Sequence, residues 1–97
     1  MSKKRNRLEI IKDILEVIKN KSGKVKPTHI LYKSNLSHQM MEQYMNELKQ
    51  KQMITEGKLG NGKTYLITSK GIDYLSKYRM ISEFTASFGL GEEQAQQ

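Results

Sequence analysis

Apolar and polar positions alternate along this chain with three successive rhythms. From Leu8 to Lys19 the apolar positions are 8, 10, 11, 14, 15, 17 and 18 and the polar ones 9, 12, 13, 16 and 19, a spacing of three and four that predicts an amphipathic helix with a wide buried face. Gly23 ends it, and Pro27 opens a second helix to about Lys33, since proline in the first turn gives up only an N–H that has no helical partner. "SNLS" reads as a tight turn with Leu36 pointing inward and Ser37 placed as N-cap of a third helix that runs to about Lys51. The rhythm then changes. "MIT" and "TYLIT" favour strands, and the stretch between them, with glycines at 57, 60 and 62, predicts a hairpin with a loose basic tip. Helical spacing returns in "SKGIDYLSKYRMISEFTASF" and stops at Gly89.

The order helix, helix, helix, hairpin, helix predicts a mainly α chain with a small β-hairpin, a winged helix-turn-helix with an extended C-terminal helix. Two helices joined by three or four residues make the helix-turn-helix, and the Gly-rich basic hairpin after it makes the wing. The expected organisation is a basic arm at 1–7, the winged-helix domain at 8–71, a C-terminal dimerisation helix at 72–88 and a disordered tail at 89–97. Leu36, Met41, Tyr44, Met45 and Leu48 lie on one side of helix three and are assigned to the core; Ile72 and Leu75 are expected to pack the last helix onto the domain.

Charge narrows the partner class. Seventeen Lys plus Arg against ten Asp plus Glu give +7, and such a surface attracts polyanions through its summed potential. A membrane-surface role fits less well, because the first helix interleaves its bases with Glu9 and Glu16, and no apolar run approaches a signal segment or a membrane span. With no cysteine there is neither a disulfide nor a thiolate metal site, and His29 and His38 lack further ligands at metal spacing. No nucleophile stands beside a base, and "GLGNG" lies in a hairpin rather than between a strand and a helix, so an enzyme is not expected, nor a cofactor or small-molecule substrate. The expected location is the cytoplasm, in association with the nucleoid.

The segments "RNRLEIIKDILEVI", "NLSHQMMEQYMNELKQKQMI" and "GKTYLITSKGIDYLSKY", which cover most of residues 5–78, resemble the archaeal winged-helix DNA-binding proteins of about ten kilodaltons that coat or regulate chromosomal DNA. The element "Thr-Ser-Lys-Gly" followed after three residues by Leu75 is characteristic of that wider group. The resemblance implies double-stranded DNA as partner and a homodimer built by antiparallel pairing of C-terminal helices. The chain departs from the group at Gln52, where glycine is common after the recognition helix, and in the early end of the last helix at Gly89.

Within that frame, the outward residues of helix three are Ser37, His38, Gln39, Met40, Glu42 and Gln43. Gln39 or Gln43 suits adenine, Met40 a thymine methyl, and Ser37 a phosphate; His38 is as well accounted for by solvation. No arginine is present there for guanine, so weak reading or an A·T preference is expected. Lys3, Lys4, Arg5 and Arg7 on the arm, Lys24, Lys26 and Lys33 around helix two, and Lys58, Asn61 and Lys63 in the wing are the expected backbone contacts. On the last helix Tyr74, Tyr78, Ile81, Thr85 and Phe88 form a line at steps of four, three, four and three, the expected dimer interface. The alternative to DNA is a protein-interaction module whose basic face binds an acidic partner.

Overall fold

A computed structural model describes residues 5–90. Helix α1, Arg7–Lys21, starts where the side-chain oxygen of Asn6 accepts the Glu9 N–H at 2.8 Å, and buries Ile10, Ile11, Ile14, Leu15 and Ile18. It stops in the left-handed turn of Ser22 and Gly23. Helix α2, Pro27–Lys33, is one short element whose Ile30 is fully buried. After it the chain reverses through Asn35, at φ 55, and sets Leu36 into the core. Ser37 then caps α3, His38–Gln50, its hydroxyl oxygen accepting the Met40 N–H at 3.2 Å. Met41, Met45 and Leu48 turn inward and Tyr44 packs against them, as the spacing predicts.

Strands β1, Ile54–Leu59, and β2, Gly62–Ile67, pair antiparallel from Ile54 opposite Ile67 to Leu59 opposite Gly62. The tip differs from the loose loop expected from its glycines. It is a two-residue turn, with Gly60 at φ 62 in the first central position, where the tightest hairpins need positive φ. Buried Ile54, Thr64 and Tyr65 root the hairpin, and Val25 adds a bridge to Tyr65 on its outer edge. The Thr64 hydroxyl lies 2.8 Å from the Gly23 carbonyl and 2.6 Å from that of Val25, so its single proton ties the wing to the α1–α2 connection.

Helix α4, Ser69–Ser87, is docked by the "Thr-Ser-Lys-Gly" element. The Thr68 hydroxyl accepts from the Gly71 N–H and donates to the Gln52 carbonyl, while the Thr68 N–H donates to the Met53 carbonyl. Gly71 is fixed by contact: a Cβ there would stand 2.5 Å from the Met53 carbonyl oxygen. Gln52 takes φ 63, the left-handed conformation that glycine commonly supplies at this turn.

Two apolar positions fail to bury as expected. Ile72 is 46% exposed because Gly71, Tyr74 and Leu75 form the contact edge and Ile72 lies about 100° round the helix from Gly71. Leu8, 53% exposed, borders a groove between α1 and α4 instead of filling it.

Candidate nucleic-acid interface

Because α3 spends Met41, Met45 and Leu48 on the core, its opposite side is left to solvent. Ser37, His38, Gln39, Met40, Glu42 and Gln43 are all exposed, in agreement with their outward assignment. Farther along the same side stand Asn46 and Gln50, also exposed. Gln39, Gln43, Asn46 and Gln50 follow one another at steps of four, three and four, so four carboxamides share one strip. Asn46 and Gln50 lie beyond the first turns, where the outward residues were expected, although the spacing that places them is visible in the chain.

Exposed lysines lie on three other segments of the domain. Lys24 and Lys26 precede α2, Lys33 ends it, and Lys58 and Lys63 lie on the wing; all five are exposed. Lys58 and Lys63 are direct cross-strand partners, an arrangement that opposes two like charges on one small hairpin. Asn61 is exposed in the turn beyond them. Among the described residues, Lys63 is the one of these five with a carboxylate near, Glu56 at 3.6 Å, and that carboxylate is shared with Lys49 of α3 at 2.5 Å. The hydrogen bond from Lys49, reinforced by the charges of Lys49 and Lys63, holds the Glu56 carboxyl below its ordinary value.

The two arginines expected on the arm are engaged within the protein. Arg5 donates through Nη1 to Asp13 at 2.6 Å and through Nη2 to the carbonyls of Ser34 and Asn35, at 2.6 and 3.2 Å, which clamps α1 to the α2–α3 turn. Arg7 is the first residue of α1; it pairs with Glu47 of α3 and lies 5.7 Å over the Tyr44 ring. Lys3 and Lys4 fall outside the described residues, as does most of the tail expected at 89–97.

On α4, Tyr74 and Tyr78 stack with centroids 6.4 Å apart and are half-buried. The Tyr74 hydroxyl donates to the Leu8 carbonyl at 2.9 Å, and burial pushes its ionisation up against the opposing charge of Arg7. Thr85 is half-buried and donates to the Ser82 carbonyl. Ile81 and Phe88 are 60% and 66% exposed, and so are Met80 and Phe84, at 63% and 64%. The open apolar surface is therefore Met80, Ile81, Phe84 and Phe88, with the two phenyl rings edge to face at 5.1 Å. Met80 and Phe84 are absent from the line predicted by sequence. The surface runs into the apolar groove lined by Leu8, Met53, Tyr74, Tyr78 and Ile81.

Among the described residues no helix is long and apolar enough to cross a membrane, and no three His, Asp or Glu side chains come together as a metal site would need. The sequence profile of the winged helix-turn-helix family matches residues 4–86. Comparison with curated proteins by sequence finds no match. Among solved structures, that of Sso10a-2, a DNA-binding protein from Sulfolobus solfataricus, superimposes with a TM-score of 0.75 at 18% identity, over 95% of this chain and 94% of that one.

Proposed function

The chain belongs to the winged helix-turn-helix family, and from that premise we propose that it is a dimeric, non-enzymatic protein that binds double-stranded DNA mainly through phosphate contacts, as a chromosomal architectural factor or a transcriptional regulator. The observation that carries this reading is the cross-strand pair Lys58 and Lys63. A hairpin gains nothing from two opposed ammonium groups, whereas a phosphate strand passing the wing neutralises both. Lys24 and Lys26, on either side of the Val25 that bridges to β2, and Lys33 at the end of α2 add exposed positive charge to the same potential. That Sso10a-2 is described as a DNA-binding protein supports the reading.

The dimer is built by α4. Met80, Ile81, Phe84 and Phe88 present an apolar stripe that continues into the groove beside Leu8, where a second copy of the helix finds a surface like its own. Burial contributes roughly 1.5–3 kcal/mol per large side chain, enough from two copies to offset the several kcal/mol lost in association.

Two measurements test this. Anisotropy of a labelled random duplex across a salt series is expected to show log affinity falling linearly with log salt. A flat dependence together with tight binding of an acidic protein would replace DNA by that partner class. Sedimentation equilibrium is expected to find a dimer at micromolar concentration and a monomer for Ile81→Asp, which puts an uncompensated charge in the seam. A monomeric parent would remove α4 from the mechanism.

A further inference from the structure

We infer that the four carboxamides Gln39, Gln43, Asn46 and Gln50 form a reading strip for adenine in the major groove, giving the protein a preference for A·T pairs that its phosphate contacts alone cannot supply. The inference rests on the DNA-binding reading above and adds the base class and the residues that choose it. At about 100° per residue the four positions fall within about 60° of arc, opposite Met41, Met45 and Leu48. All four are exposed, and among the described residues none of their side chains is held in a hydrogen bond or ion pair. Along the axis they are about 4.5–6 Å apart, one or two steps of a duplex whose bases rise about 3.4 Å.

A carboxamide carries one acceptor and one donor group in a single plane. Adenine presents the complementary pair in the major groove, the N7 acceptor beside the N6 amino donor; guanine presents two acceptors, N7 and O6, and would leave the amide oxygen facing a lone pair. Met40, about 60° round the helix from Gln43 and 38% exposed, adds a surface suited to the thymine methyl. Two cations on or beside α3 already have carboxylate partners, Arg7 of α1 with Glu47 and Lys49 with Glu56, so neither lies free for guanine. Glu42 is exposed about 40° from the other edge of the strip, at Asn46. Only those amides that reach base edges together contribute, which keeps the preference below the roughly thousandfold margin of dedicated specific binders.

The test uses the full chain and four duplexes of equal length: A·T-rich, G·C-rich, the G·C-rich sequence with inosine in place of guanine, and the A·T-rich sequence with 7-deazaadenine. Inosine·cytosine keeps the major-groove face of G·C and takes on the minor-groove face of A·T; 7-deazaadenine removes only the N7 acceptor. Binding to A·T-rich DNA is expected to exceed that to G·C-rich DNA by at least about fivefold, the lower end for one bidentate pair. The inosine duplex should bind as weakly as G·C, and the 7-deazaadenine duplex should lose the advantage. Gln43→Ala and Asn46→Ala, at exposed positions outside the core, should narrow the preference while leaving the salt slope unchanged. Equal binding of A·T and G·C duplexes, or inosine DNA bound like A·T, would overturn the inference, the second by locating the preference in the minor groove. Failure to bind any duplex would overturn the DNA-binding reading as well.

Discussion

Replacing Lys58 by alanine separates a wing evolved for its own stability from one shaped for a polyanion. Lys58 faces Lys63 directly across the hairpin. A cross-strand pair contributes roughly 0.2–1 kcal/mol, unfavourable when the charges are alike. Both side chains are exposed, so screening reduces the repulsion to a few tenths of a kcal/mol. Lys58→Ala is therefore expected to leave stability unchanged or raise it slightly, by about 1–3 °C in Tm for a domain of this size, and the gain should vanish in high salt. Lys58 is the cleaner choice of the two, because Lys63 also lies near Glu56.

The same substitution should weaken binding to every duplex alike and reduce the magnitude of the salt slope by roughly 0.9, the share of one phosphate contact. Thermal unfolding at low and high salt, run beside anisotropy over a salt series, measures both. A variant that loses more than about 1 kcal/mol of stability, the limit of a cross-strand term, would mean that Lys58 packs rather than waits for a phosphate. An unchanged slope would mean that it faces solvent in the complex too.

The other predictions concern the frame that aims this surface. Gly71→Ala should cost at least about 2 kcal/mol, within the range for overpacking, because backbone at Met53 blocks the new methyl; calorimetry showing less than 1 kcal/mol would refute the close approach. Gln52→Gly should stabilise by about 0.5–1 kcal/mol, the left-handed strain relieved less the entropy that glycine adds, read from urea midpoints, and a destabilised variant would refute the strain. For Glu56 the folded value is depressed, so the contribution of its contact with Lys49 is present in full above the ordinary value of 4.5 and is lost as pH falls through the lower folded value. Carboxyl NMR titration should show Lys49→Ala raising the Glu56 midpoint more than Lys63→Ala does, and the reverse order would refute the assignment.

Local chemistry made much of the fold legible. Pro27, Ser37 and the three-four spacing of Met41, Met45 and Leu48 each act within one helical turn, and all three fall where the sequence puts them. What escaped depends on residues far apart in the chain. Nothing local marks Arg5 as the partner of Asp13 and the Ser34 carbonyl, or Arg7 as the partner of Glu47, forty positions away. The line from Tyr74 to Phe88 kept a strict seven-residue repeat, whereas the open stripe of α4 lies to one side of it, with Phe84 about 60° and Met80 about 100° round the helix from Ile81. The tip of the wing misled for a different reason: three glycines in six residues suggest slack, but Gly57 and Gly62 lie within paired strands and only Gly60 uses positive φ.

The use made of arginine joins these observations. The chain has three arginines, and each faces a carboxylate of its own protein: Arg5 with Asp13, Arg7 with Glu47, and Arg79 with Glu83 one turn along α4. The cations of the α1–α2 connection, the end of α2 and the wing are lysines. An ammonium on a flexible stem is a point charge that follows a phosphate without fixing its angle, whereas a guanidinium fork locks onto phosphate or guanine in one geometry. On the proposed reading, lysines outside a strip of amides would hold duplex DNA with little penalty for a shifted register. The choice among sequences would then fall to the amides, whose good bidentate partner in the major groove is adenine. Moving one arginine onto the strip would change the class of binder more than adding several lysines round it, because it would supply the guanine contact that the present face lacks.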